Sequence, residues 1–151
     1  WGDRAVTYTN KITAAVAETG NQVILYEGQL IDAVFHSSSA SATQDAVEVW
    51  GNSVPYLQSV DSPEGENVPN YQSQATISSQ EFQDLFLEAR PEADLSGDPS
   101  TFDVTGFGHE VGMSQYGADA MAVAGSTYTE ILQHYYTGVT VEECPEEFLP
   151  Q

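Results

Sequence analysis

The sequence predicts an α+β domain: antiparallel strands with a few short helices, gathered mainly toward the carboxy terminus. Three observations lead there. Two β-rich runs, 22–26 and 30–35, flank Glu27-Gly-Gln29 in the pattern of a hairpin. Helix-opening signals at Ser78-Ser-Gln-Glu81, Ser114 and Thr127-Tyr-Thr-Glu130 fall in the second half of the chain. Finally, 151 residues of 40% hydrophobic content suffice for one domain with a buried core, here spanning 1–151.

Taken in order, residues 11–18 form a short amphipathic stretch that Gly20 ends. The hairpin follows, and its second strand delivers His36 and the serine run to a loop. Residues 45–50 make one helical turn with Asp45 and Glu48 on one face, and 55–60 are extended. A short strand at 74–77 precedes a helix running from the Ser78 capping box through Ala89, with Phe82, Leu85 and Phe86 at helical spacing toward the core. The segment 91–99, with a proline at each end, shows no periodicity and reads as a loop. Residues 101–104 restart as a strand that runs into a glycine-rich block. Ser114 then caps a helix through Ala124, stopped by Gly125, and Thr127 opens another through Tyr135 or Tyr136. Residues 139–141 make a final strand.

Charge limits the partners. Twenty-three acidic residues against three basic ones leave a net charge of −20, which repels nucleic acid and anionic membrane surfaces. Cys144 stands alone, so there is neither an intrachain disulfide nor a cysteine-rich metal site. No apolar run approaches the roughly 18–20 residues needed to span a bilayer, so membrane insertion by this segment is not expected. The chain opens on Trp1 with no signal peptide, which fits the interior of a longer precursor.

The residues with chemistry cluster. In Thr105-Gly-Phe-Gly-His-Glu-Val-Gly-Met-Ser-Gln-Tyr-Gly-Ala118, four glycines space out an imidazole, a hydroxyl, a carboxamide and a phenol. Ser114, Gln115 and Tyr116 offer the mixed donors and acceptors that sugars need, although Ser114 is also a helix cap and Tyr116 an ordinary core residue. Glu110, beside His109, is a candidate acid or base, or else a solvated charge. Upstream, Ser37, Ser38 and Ser39 with His36 or His109 and Asp61 could compose a Ser-His-Asp triad, the basis of a serine-hydrolase alternative. No Gly-x-Ser-x-Gly elbow surrounds them, and serines at a strand end ordinarily satisfy backbone groups.

The glycine-rich block, followed by Tyr128-Thr-Glu-Ile-Leu-Gln-His-Tyr-Tyr-Thr-Gly138, closely resembles the carboxy-terminal block of the stage II sporulation protein D (SpoIID) family, which includes the LytB-type amidase enhancers. A second block agrees: Ala33-Val-Phe-His-Ser-Ser-Ser39, Asp45-Ala-Val-Glu-Val-Trp-Gly51 and Pro55-Tyr-Leu-Gln-Ser-Val-Asp61 resemble the family's upstream motif in the same order. The resemblance covers residues 11–62 and 105–141.

What the resemblance implies is bacterial cell-wall remodelling in an extracytoplasmic setting, by a lytic transglycosylase that cleaves the MurNAc-GlcNAc bond of peptidoglycan. A glutamate protonates the glycosidic oxygen, and the sugar's own 6-hydroxyl closes an anhydro ring. The family's catalytic glutamate lies in an amino-terminal Gly-Glu-Met-Pro segment that nothing here matches, and the family carries further strands between the regions matching Arg90 and Thr101. The chain is thus expected to be a fragment lacking that segment and part of the middle. The alternative is a non-catalytic glycan-binding enhancer of a cell-wall amidase. By the same resemblance His36, Ser37, Ser38, Ser39, Asp61, His109, Ser114, Gln115 and Tyr116 belong to one substrate groove; Glu110 stands where the family usually has glycine and is a candidate acid only by its place beside His109, so the principal catalytic residue is not assigned. Several family members bind zinc near the equivalent of His36 through cysteines. Here Ser39 takes such a position, so neither metal nor other cofactor is expected.

Overall fold

A computed structural model describes residues 2–65, 68–89, 91–92 and 101–148. Its architecture is α+β. Helix α1 (Ala5–Thr19) leads to strand β1 (Gln22–Tyr26), which turns into β2 (Gln29–Leu30). Strand β3 (Phe35–His36), helix α2 (Ala46–Trp50) and strand β4 (Gln72–Thr76) follow, then α3 (Ser79–Ala89) and β5 (Thr101–Thr105). The glycine-rich block ends in β6 (Met113–Ser114), from which α4 (Gln115–Val123), α5 (Tyr128–Tyr135) and β7 (Thr140–Glu143) complete the fold.

The hairpin forms in the expected place, with Leu25 opposite Leu30 and Tyr26 opposite Gln29. Glu27 and Gly28 both take positive φ, as a two-residue turn matching strand twist requires. Its second strand, however, ends at Leu30 instead of running to Phe35. The chain turns away because its backbone finds other partners: the Asp32 N–H donates to Tyr56 Oη at 3.1 Å, and the Val34 carbonyl accepts from Tyr136 Oη at 2.9 Å and Met113 N–H at 3.2 Å. Residues 35–36 then pair with β6 in parallel, Phe35 against Met113 and His36 against Ser114. That parallel pair is an exception among otherwise antiparallel ladders; β7 pairs with β1, and β4 with β5.

The core gathers where α5 packs under these strands. Ala46, Leu57, Val111, Ile131, Tyr135, Tyr136 and Val139 are buried together, with Ile24, Tyr26, Val34 and Met113 half-buried around them. Helix α5 begins with the predicted capping box, Thr127 and Glu130 satisfying each other's backbone N–H. Ser114 caps α4 through the Gly117 N–H at 3.1 Å, and Asp45 caps α2. Two expectations fail on packing. Phe82 and Phe86 do not enter the core: they stack on each other at 5.3 Å, and Phe82 stacks on Phe102 of β5 at 5.2 Å, forming a small cluster under the β4–β5 ribbon. The Leu85 side chain and most of the predicted 91–99 loop lie outside the described residues. Helix α1 is longer than predicted, reaches back to Ala5 and buries none of its residues. Among the described residues no helix is long and apolar enough to cross a membrane.

Candidate functional site

The glycine-rich block runs alongside the His36–Gln44 segment and is tied to it at successive points. Phe107 and Ser38 exchange both backbone hydrogen bonds, at 2.8 and 3.2 Å, and Gln44 N–H donates to the Glu110 carbonyl at 2.7 Å. The approach depends on missing side chains. At Gly108, where φ is +125°, a Cβ would come within 2.8 Å of His36 Cβ; at Gly106 it would strike the Glu110 carboxylate. The two sequence blocks therefore meet, and the His36 and His109 rings lie 5.7 Å apart.

The two imidazoles have different surroundings. His36 is 4% exposed. Its Nδ1 lies 3.2 Å from the Val111 carbonyl, which only accepts, so Nδ1 carries the proton; Nε2, in a neutral ring, accepts from Ser39 Oγ at 2.6 Å. Burial pushes the His36 pKa below its ordinary value, favouring that neutral ring. His109 is exposed, accepts the Val111 N–H on Nδ1 at 3.1 Å, and leans on Trp50 with ring centroids 5.4 Å apart. Val111 thus fixes both rings, one through its carbonyl and the other through its amide.

Behind them sits a residue that motif reading passed over. Glu64 accepts from the Ser39 N–H and, at 2.9 Å, from Ser114 Oγ, so one carboxylate ties the serine run to the cap of α4. Its Oε2 and Ser38 Oγ are buried without a hydrogen-bond partner among the described residues. The Pro63-Glu-Gly-Glu66 stretch carries no spacing that would have marked it.

A depression of about 620 Å³ opens over this layer, lined by Gln44, Val49, Ser73, Thr105, Phe107, His109 and Glu110 among others. The expected groove residues divide around it. His109 and Glu110 line it. Gln115 and Tyr116 line a second depression of about 390 Å³ with Asp119. His36, Ser38, Ser39 and Ser114 are buried beneath the surface and shape the site from below, so they do not form its wall. Asp61 contributes its backbone carbonyl to His134 Nε2 at 2.7 Å while its side chain is exposed. A Ser-His-Asp triad is therefore not assembled: Ser39 meets His36, but the serine is buried and a carbonyl stands in the aspartate's place. Glu110 takes a positive φ of 58°, and its carboxylate is held by the Gln44 side chain and the Ala40 backbone. Burial outweighs those hydrogen bonds and raises its pKa.

A zinc ion of the kind implied by the resemblance does not fit these residues. Both His36 ring nitrogens are committed to Val111 and Ser39, and Cys144 lies at the end of β7, where its N–H bonds Asn21. Among the described residues no three histidine, cysteine or acidic side chains converge.

The fold and site together define a class: an α+β domain in which two loop blocks are laced together over a buried histidine–serine–glutamate layer, leaving a polar depression above it. The chain is 33% identical, over 95% of its length, to stage II sporulation protein D of Bacillus subtilis (strain 168) and equally so to stage II sporulation protein D of Bacillus amyloliquefaciens. It belongs to the stage II sporulation protein D family. Over 36 residues, 24% of this chain and 5% of the other protein, it is also 58% identical to an amidase enhancer of Bacillus subtilis (strain 168). No protein-family model matches the chain. It spans 54% of either sporulation protein, about half their length, and the alignments of 186 positions exceed its 151 residues, so those relatives carry segments without a counterpart here.

Proposed function

We propose that the protein acts outside the cytoplasm in remodelling the bacterial cell wall, and that this chain supplies most of the substrate groove of a peptidoglycan lytic transglycosylase. The observation that carries the reading is the convergence of both sequence blocks on one depression with His109 and Glu110 in its lining. Membership in the sporulation family supports it. The reaction asks for one carboxylic acid of raised pKa beside a glycosidic oxygen, since the substrate's own hydroxyl is the nucleophile. Burial raises the Glu110 pKa, the direction this reaction asks for, and His109 lines the same depression, where an imidazole suits a sugar hydroxyl.

A second reading has its own support. Glu110 is anchored by Gln44 and Ala40, which suits a shaping role better than proton delivery, and the short match to an amidase enhancer points to a glycan-holding module serving a separate amidase. One experiment separates the two. Purified glycan strands are incubated with the chain and the products analysed by mass spectrometry, with Glu110→Gln in parallel. Anhydro-muramyl products that fall by ~10²–10⁴-fold in Glu110→Gln support the transglycosylase with this acid. Binding without products, together with stimulation of an added amidase, supports the enhancer.

A further inference from the structure

We infer that helix α1 is a self-association element: the α1 helices of two copies of this chain pack antiparallel along the stripe Ala5, Tyr8, Ile12 and Ala15, with Arg4 of each copy beside Glu18 of the other.

Left to itself, α1 is a weak helix. Four of its 15 residues are threonine, and Val6, Ile12 and Val16 add further β-branched side chains of modest helix propensity. Its N-cap, Arg4, makes no side-chain bond to the first turn, and isolated helices of this length are marginal in water. Tertiary packing ordinarily makes up the difference. Here every residue of α1 is exposed except Ala5 and Thr19, which are half-buried, and Ile12 and Val16 are 52% and 68% exposed. Ala5, Tyr8, Ile12, Ala15 and Thr19 recur at alternating steps of three and four, the spacing of a seam between two helices, and Val16 flanks them.

Charge selects what covers the seam. Two of the chain's three basic residues, Arg4 and Lys11, stand at or on α1 and balance Asp3 and Glu18. Residues 2–20 are therefore neutral, and the net −20 belongs to the remainder. Arg4 lies at the positive N-terminal end of the helix and Glu18 in its last turn, so each sits at the end of the macrodipole that suits the other. Arg4 Nη1 donates to Tyr8 Oη at 3.4 Å, which keeps the guanidinium on the flank of the seam. An antiparallel second copy corrects both ends at once. Pairing Ala5 with Ala15 and Tyr8 with Ile12 of the other helix sets Arg4 beside Glu18 twice, by two-fold symmetry. The one like-charged meeting, Lys11 with its twin, falls on the flank, where long side chains diverge into water. A parallel pair would form neither Arg4–Glu18 contact and would crowd two anionic bodies at the Gly20 end. Antiparallel packing holds those bodies at opposite ends of a rod of about 22 Å, well beyond the Debye length of roughly 8 Å at physiological salt. The seam is short, so the association is weak and reversible.

Sedimentation equilibrium of the full chain at about 0.15 M salt, from low micromolar to about 1 mM protein, should show a reversible dimer. Ile12→Asp should leave it monomeric. Arg4→Glu and Glu18→Arg should each weaken the dimer roughly three- to tenfold, and the double variant, whose net charge equals that of the wild type, should regain it. Cross-linking reads the orientation. In a Cys144→Ser background a short bismaleimide should join Lys11→Cys to itself, and Arg4→Cys only to Glu18→Cys. Hydrogen exchange across residues 5–19 should slow as concentration rises. The four α1 and N-cap positions substituted are exposed, so misfolding does not explain a lost dimer, and an unchanged urea midpoint checks this. A wild-type chain that stays monomeric throughout, a dimer indifferent to Ile12→Asp, or Arg4→Cys joined to itself would each overturn the antiparallel pair.

Discussion

Replacing Gly117 by alanine should destabilise the protein, against the ordinary rule for helices. Gly117 lies in the first turns of α4 with no positive φ, so backbone conformation alone would favour alanine by about 1 kcal/mol. Its surroundings reverse the sign. A Cβ there would sit inside van der Waals contact of Tyr135 Oη and Ser62 Oγ and 2.9 Å from Glu64 Oε2. Tyr135 and Ser62 are both buried and bonded to each other at 2.7 Å, so neither can retreat into water. Overpacking costs about 1–3 kcal/mol, and parting the buried hydroxyl pair roughly 1–3 more. After the helix gain, a net loss of about 1–5 kcal/mol is expected, a large share of the ~5–15 kcal/mol that holds a typical domain folded. Urea denaturation followed by circular dichroism measures it as a lowered midpoint at constant slope. Tyr135→Phe in the same background removes the hydroxyl that clashes, so the double variant should be more stable than the two separate losses predict. A Gly117→Ala protein as stable as wild type, or more so, would refute the packing argument.

Other outcomes follow from the same geometry. Thr127→Ala removes one half of the α5 capping box and should cost about 1 kcal/mol by the same denaturation assay. Because burial lowers the His36 pKa from the ordinary 6.5, the unfolded chain binds the proton more readily; stability is full above about pH 6.5 and is lost as pH falls from there through the folded value. His36→Asn should flatten that part of the stability–pH curve, and an unchanged slope would remove His36 as its source. Raised instead, the Glu110 pKa has the opposite consequence: its contribution is full below about pH 4.5 and falls as pH rises through the folded value, a slope that Glu110→Gln should abolish. Elemental analysis of protein purified without chelator should find no stoichiometric zinc, since the His36 nitrogens are both engaged.

Local signals were the readable ones. The Glu27-Gly28 turn, the Thr127–Glu130 capping box and the Ser114 cap are each decided within a few residues, and all three formed where the chain alone places them. The two blocks, too, were recognisable as partners, because His36, His109 and the glycines between Thr105 and Ala118 keep a distinctive spacing. What a residue faces is another matter. His36, Ser38, Ser39 and Ser114 carry the same chemistry as exposed site residues, and burial places them below the groove.

The sequence by itself determined the class of the domain, the starts of its capped later helices, its hairpin turn and the family it belongs to, because these depend on short-range backbone preferences and on ordered motifs. Only the tertiary structure decided that the hairpin's second strand stops at Leu30, that Phe82 and Phe86 pack outside the core, and that Glu64 joins Ser39 to Ser114. The physical reason is common to all three. Each depends on a hydrogen bond or contact to a residue distant along the chain: Tyr136 for the Val34 carbonyl, Phe102 for Phe82, and Ser114 for a carboxylate 50 positions earlier. No local preference encodes such a partner, and it exists only once the chain has closed on itself.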